Sequence, residues 1–150
     1  MTDAVADVER AMIAIRRSQQ RRALSRIGKA RGRGAHDPVF ELLDVVEELA
    51  ERGEAGTVTA LSAALGVDQP RASRLVARAV EQGLLRREAD QRDGRRAVLV
   101  PTPAGQAHLE EMHAFRRGVF AEVMADWPEE DRETFGRLLT AFVRGYSALG

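Results

Sequence analysis

Residues 88–96, EADQRDGRR, put acids and arginines around a single glycine, between the apolar runs GLL and AVLV. Arginine suits phosphate and guanine because its planar fork donates two parallel hydrogen bonds. An arginine on a hairpin tip can also enter a narrow minor groove, where the negative potential is strongest. Arg92 and Arg95 flank the turn and are candidates for that work. Asp90 and Asp93 have no business facing DNA as bare charges, so their expected task is to hold the arginine side chains extended.

A second set of such residues lies upstream. Gln69, Pro70, Arg71, Ser73, Arg74 and Arg78 fall on the polar side of a segment whose other side is Ala72, Leu75, Val76 and Ala79. That 3–4 spacing is a helix with one buried face. Glutamine pairs with adenine and arginine with guanine, and a short serine lets a helix approach a phosphate. Asp68 caps this helix, Pro70 sits in its first turn, and Gly83 ends it.

The flanking elements must hold these two sets in place. A short helix over about Ala60–Leu65, capped by Thr59 and stopped by Gly66, precedes the arginine-bearing one. Before it comes a helix capped by Asp37 and opened by Pro38, with Phe40, Leu43, Val46 and Leu49 as its inner stripe. After it, LLRRE and RRAVLV read as two strands joined through the DG turn. The order of helix, glycine turn, capped helix and hairpin is a winged helix-turn-helix. The chain then restarts at Thr102 and Pro103 as a long helix with Leu109, Met112, Phe115, Val119 and Val123 inside. A last helix follows Pro128, with Phe135, Leu138, Leu139, Phe142 and Tyr146 on one face. At the other end, Val5, Val8, Met12 and Ile15 predict a helix that starts near Thr2 or Asp3 and runs on through Leu24 and Ile27.

Composition narrows the function. The chain has 150 residues, 44% hydrophobic and 31% charged, with no cysteine, so thiol sensing and thiolate metal sites are excluded. No apolar run reaches the roughly 18 residues of a membrane span, and the start has no signal-peptide core, so a cytoplasmic location without membrane contact is expected. Net charge is zero, but its distribution is uneven. Every charge from Arg10 to Arg33 is positive, including Arg16, Arg17, Arg21, Arg22, Arg26 and Lys29. Nearly every charge from Glu41 to Glu54 is negative. Taken alone, such runs are solvated helix faces. No phosphate loop, nucleophile elbow or acid–base pair appears, so the chain is not expected to be an enzyme. His108 and His113 lie five apart and do not form a helical metal pair; Glu110 with His113, joined by His36 or Asp37, leaves a metal site open.

Residues 57–102 resemble the MarR family of bacterial transcription regulators. Asp90, Arg92, Asp93 and Arg95 match that family's D-x-R-D-x-R wing signature. LSAALGVDQPRASRLVARAVEQGLLRR matches its helix-turn-helix, and LVPTPAGQAH its strand-to-helix junction. The outer helices agree in number and order, although the basic first helix with its glycine-rich exit is longer than the pattern. The resemblance implies a mainly α (α+β) chain, with a winged helix-turn-helix lobe over 37–102 and dimerisation helices over 1–34 and 103–150. It implies a homodimer on double-stranded DNA carrying a palindromic operator, with repression relieved by a small-molecule effector and no cofactor required. Anionic aromatic ligands are the class it suggests, with Arg16, Phe40 or His113 facing the ligand crevice. The alternatives are an architectural DNA-binding protein without ligand control, a metal-responsive regulator, and a protein-binding winged helix.

Overall fold

A computed structural model describes residues 3–20, 22–32 and 37–150. Thr2, Arg21, Arg33 and His36, which figured in the expectations above, lie outside the described residues. The elements run α1 (Ala4–Gln20), α2 (Ala23–Ala30), α3 (Pro38–Glu51), α4 (Val58–Leu65), α5 (Gln69–Glu81), β1 (Leu85–Ala89), β2 (Ala97–Pro101), α6 (Pro103–Val123) and α7 (Glu129–Ser147). The chain divides into two compact units, Met1–Glu110 and Glu111–Gly150.

In the first unit the opening helix is not continuous, contrary to expectation. Arg22 takes a left-handed conformation with φ 51°, and its amide closes onto the Gln19 carbonyl at 2.9 Å. Such a conformation costs a non-glycine residue roughly 1–2 kcal/mol. Apolar spacing carries no signal for a single reversed residue of this kind, so α1 and α2 read as one helix.

The caps explain where the next three helices begin. Asp37 Oδ1 accepts from the Val39 amide at 3.0 Å and Asp68 Oδ1 from the Arg71 amide at 2.8 Å, each satisfying an otherwise orphaned donor. Thr57 Oγ1 accepts from the Ala60 amide at 3.1 Å, so α4 starts two residues earlier than expected and Thr59 is not its cap. Two threonines two positions apart are equivalent as cap signals in a sequence. Gly66 at φ 66° and Gly83 at φ 73° close α4 and α5 in the left-handed region that favours glycine.

Val39, Leu42, Leu43, Leu61, Val76, Leu85 and Leu109 are fully buried and form one cluster, so α3, α4, α5, β1 and the start of α6 share a core. Val39 and Leu42 add to the expected stripe of α3, which is therefore wider, while Phe40 is half-buried and stacks on His108 at 5.1 Å. Strands β1 and β2 are antiparallel, with Leu85 opposite Pro101 and Ala89 opposite Ala97. The paired ladder therefore ends before Arg95 and Arg96, which the alternation had placed in the second strand. The connection between α3 and α4 joins the wing, since the Leu99 amide donates to the Gly56 carbonyl at 2.9 Å. At the foot of the wing, Gly105 lies so close to the chain that a Cβ would sit 2.1 Å from the Leu84 carbonyl oxygen. Thr102 Oγ1 donates to the Gly83 carbonyl and accepts from the Gly105 amide, which fixes β2 and α6 to the end of α5.

The second unit contains the rest of α6 and all of α7. Trp127 meets Phe135 edge-on at 5.4 Å, and Phe142 stacks on Tyr146 at 6.2 Å. Of the expected inner face of α6, Val119 is buried and Met112 and Phe115 are half-buried. Val123, however, is exposed. The apolar stripe continues past the point where the protomer covers it. On α7 the whole stripe is in water, Leu138 at 54% and Tyr146 at 65% of full exposure.

Candidate nucleic-acid interface

Helix α5 is pinned by one face. Ala72, Val76 and Ala79 are buried and Leu75 is half-buried, so 3.6-residue periodicity turns Gln69, Pro70, Arg71, Ser73, Arg74 and Arg78 outward. All six are exposed. Arg71, Arg74 and Arg78 are spaced three and four apart and form one stripe. Their engagements differ. No side chain among the described residues pairs with the guanidinium of Arg71 or Arg74. Gln69 Nε2 donates to Thr59 Oγ1 at 3.2 Å, which ties the start of α5 to α4 across the turn. Arg78 Nη2 donates to Asp37 Oδ2 at 2.9 Å. Glu81 closes the outer face at the far end, so the positive charge is concentrated in the first turns of the helix.

The wing tip shows what the spacing in D-x-R-D-x-R accomplishes. Asp90 Oδ1 accepts from the Arg92 amide at 3.0 Å, and Asp93 Oδ1 accepts from the Arg95 amide at 3.1 Å. Each aspartate thus folds the backbone two residues ahead of it into a side-chain-closed turn. The same motif repeats after three residues and delivers one arginine each time. The expectation that the acids hold the arginine side chains extended is corrected here, because Asp90 and Asp93 grip the arginine amides. The side chains of Arg92 and Arg95 have no ion-pair partner among the described residues, and both residues are exposed.

The guanidinium that the acids do hold is that of Arg96, a residue the sequence reading passed over. Arg96 Nη2 donates to Asp90 Oδ2 at 2.6 Å, and its Nε lies 4.0 Å from Asp93 Oδ2. The Asp90 amide donates to the Arg96 carbonyl at 2.9 Å, and the Arg96 amide to the Asp93 carbonyl at 3.0 Å. Asp90 is the one buried charged residue among those described, at 8% exposure. The Arg92 amide and then the Arg96 guanidinium favour its charged form and hold its carboxyl below the usual carboxylate range. The doubled arginine of DGRR was the available signal. The first supplies a free charge and the second braces the tip.

The other sequence candidates fall elsewhere. Arg16, Phe40 and His113 lie on α1, α3 and α6. Among the described residues no three histidine or acidic side chains come together as a metal site, and no helix is long and apolar enough to cross a membrane.

Helix, glycine turn, capped helix and two-stranded hairpin in this order make a winged helix-turn-helix. Comparison makes it specific: residues 43–96 match the model of the MarR family. A MarR family protein from Bacillus stearothermophilus superposes with a TM-score of 0.69 at 22% identity, over 98% of this chain and 99% of that one. A probable transcriptional regulator from Pseudomonas aeruginosa superposes at 0.50 with 25% identity, over 86% and 93%. MepR of S. aureus bound to ethidium bromide superposes at 0.61 with 18% identity, over 93% and 96%. No curated protein sequence matches the chain. The fold is shared with the B. stearothermophilus MarR family protein along nearly its whole length.

Proposed function

We propose that this chain is a sequence-specific DNA-binding transcription regulator that acts as a homodimer on an inverted repeat. The observation that carries the reading is the pair of arginine sets: Arg71 and Arg74 on the outer face of α5, and Arg92 and Arg95 on the wing, whose guanidinium groups have no protein partner among the described residues. The buried side of α5 and the double turn of the wing hold their backbones, so little ordering remains to be done when DNA binds. Gln69, Pro70, Arg71, Ser73 and Arg74 face the major groove, Arg78 stands at the inner end of the same face, and Arg92 and Arg95 take the adjacent minor groove or its phosphates. Asp90 and Asp93 shape the tip.

Dimerisation follows from the uncovered apolar stripes. Val5, Val8 and Ile15 on α1 and Phe135, Leu138, Leu139, Phe142 and Tyr146 on α7 are exposed in the protomer. Apolar patches of that extent mark interaction surfaces. A two-fold partner covers them and sets two recognition helices about one DNA turn, roughly 34–36 Å, apart. The lobe of 37–102 then reads DNA, while 1–34 and 103–150 hold the pair together. We assign repression as the sign of regulation, relieved by an aromatic small molecule. Ethidium bromide on S. aureus MepR, a neighbour in fold, supports a ligand of that general shape.

Selection of bound duplexes from a random pool, followed by footprinting, tests the reading. The expected outcome is a defined palindrome whose two halves lie one helical turn apart. Broad coating without a preferred sequence points to an architectural protein, and no protection at all to a protein-binding winged helix. Repeating the selected complex with a panel of anionic and cationic aromatics tests effector release.

A further inference from the structure

The carboxylate of Asp37 serves two elements at once. Its Oδ1 caps α3 through the Val39 amide at 3.0 Å, and its Oδ2 accepts from Arg78 Nη2 at 2.9 Å. Arg78 shares the outer stripe of α5 with Arg71 and Arg74, so position alone makes it a third cation for DNA. Its partner distinguishes it. The pair joins residues 41 apart in the chain and is only partly exposed, with Asp37 at 27% and Arg78 at 48%. From this geometry we infer that Asp37 is a specificity-determining residue, which withholds Arg78 from the DNA backbone and confines the free positive charge of α5 to Arg71 and Arg74. The inference rests on the DNA-binding reading above and deepens it.

The physical consequence is selective. A phosphate contact strengthens binding to every sequence alike, whereas base contacts discriminate. A third free arginine on α5 therefore raises affinity for wrong sites more than it improves choice of the right one. Neutralising that arginine within the protein keeps the stripe short and the ratio of specific to non-specific binding high. Arg71 and Arg74, on the same stripe, pair with no acid among the described residues.

Asparagine caps a helix about as well as aspartate, so Asp37→Asn removes the charge at Oδ2 while keeping the cap at Oδ1. The full-length chain and three variants, Asp37→Asn, Arg78→Gln and the double substitution, are titrated with a duplex of random sequence and with the best selected duplex, over a range of salt. Asp37→Asn is expected to steepen the salt dependence by about one counterion, so that affinity falls about three- to fourfold more than wild type between 50 and 200 mM salt. It is also expected to tighten random-duplex binding and lower the specific-to-random ratio. Arg78→Gln alone is expected to leave the salt slope unchanged, and in the double variant to cancel the effect of Asp37→Asn. A melting curve shows whether the α3 cap survives, and Asp37→Ser, which also caps without charge, repeats the measurement if it does not. An unchanged slope in both capped variants, or a slope flattened by one counterion in Arg78→Gln alone, overturns the inference and leaves the DNA-binding reading standing. A wild-type chain that binds neither duplex overturns both.

Discussion

The same kind of residue has opposite surroundings in the two units. In Met1–Glu110 the leucines and valines of α3, α4 and α5 are buried or half-buried, and Leu42, Leu61 and Val76 show no exposed surface at all. In Glu111–Gly150 the leucines and phenylalanines of α7 lie at the same helical spacing but remain in water. Around α3, α4 and α5 the first unit covers its own hydrophobic surface, and among its described residues only the stripe of Val5, Val8 and Ile15 on α1 stays in water as α7 does. The second presents that surface outward, and its remaining order comes from local contacts such as Trp127 on Phe135. Helical periodicity identifies an apolar face equally in both units. It does not say whether the cover comes from the same chain or from another.

The strongest way to break this comparison is to remove α7. A chain ending near Asp126 is expected to lose dimerisation and, with it, the two-site binding of an inverted repeat. Two linked sites gain about 10²–10⁴ in affinity over one, so operator binding should fall by that order even if the winged helix persists. Sedimentation and titration with one selected duplex measure both effects. A shortened chain that remains folded and monomeric and binds the full operator as tightly as before removes the dimer from the mechanism.

Substitutions of one residue type sharpen the same contrast. Leu42→Ala opens a cavity in the shared core and is expected to cost about 2–5 kcal/mol of stability. That loss should not depend on protein concentration. Leu138→Ala, on the exposed stripe of α7, should barely affect the isolated protomer, since surface substitutions usually change stability by under about 0.5 kcal/mol. Its effect should appear as a melting temperature that becomes more concentration-dependent, because dimer assembly is weakened. Thermal melts over a range of concentrations separate the two patterns.

The sequence made some of these features legible and hid others, for identifiable reasons. Asp37, Asp68, Pro38 and Pro70 mark helix starts because capping is local chemistry, and the structure places them as expected. The wing was legible through DG and the alternation on either side of it. The left-handed Arg22 was not, because φ at one residue leaves no mark on apolar spacing. Thr57 and Thr59 carry the same cap signal, and tertiary context chose between them. The roles of Asp90 and Asp93 were misassigned because the motif gives spacing but not which group each oxygen accepts from. The link from Asp37 to Arg78 spans 41 residues and is visible only in three dimensions.

Within the first unit, α5 and the wing differ in what their arginines should do, and substitution can separate them. Arg71→Ala or Arg74→Ala is expected to relax sequence choice at one or two positions per half-site, at about 1–3 kcal/mol for each lost bidentate contact. Repeating the selection with each variant reads this directly. A uniform loss across all sequences shows that the residue meets only phosphate. Arg92→Ala and Arg95→Ala are expected to act in that uniform way, weakening all duplexes and flattening the salt dependence by about one counterion each. Fold and dimer should be unaffected, since both side chains lie on an exposed tip.

The smallest expected effect comes from the acid that shapes that tip. The Asp90 carboxyl lies below the usual carboxylate range because the folded wing favours its ionised form through the Arg92 amide and the Arg96 guanidinium. Linkage fixes the sign: a group with a lowered folded pKa stabilises the fold above its unfolded value, near 3.9 for aspartate, and that contribution is lost as pH falls through the lowered value. Between pH 5 and pH 8 (roughly the range in which DNA binding is measured) Asp90 therefore stays ionised and should add no pH dependence. Asp90→Asn keeps an acceptor for the Arg92 amide but gives up the charge that holds Arg96. Its expected result is a modest loss of affinity, smaller than that of Arg92→Ala, with an unchanged salt slope, because Asp93 Oδ2, 4.0 Å from Arg96 Nε, still faces the released guanidinium. Faster amide exchange at Arg92 and Arg96 should accompany it, reporting a looser tip. A salt slope that steepens by about one counterion in Asp90→Asn shows instead that the released Arg96 reaches a phosphate, and that the division between a free and a bracing arginine in the wing rests on Asp90 alone.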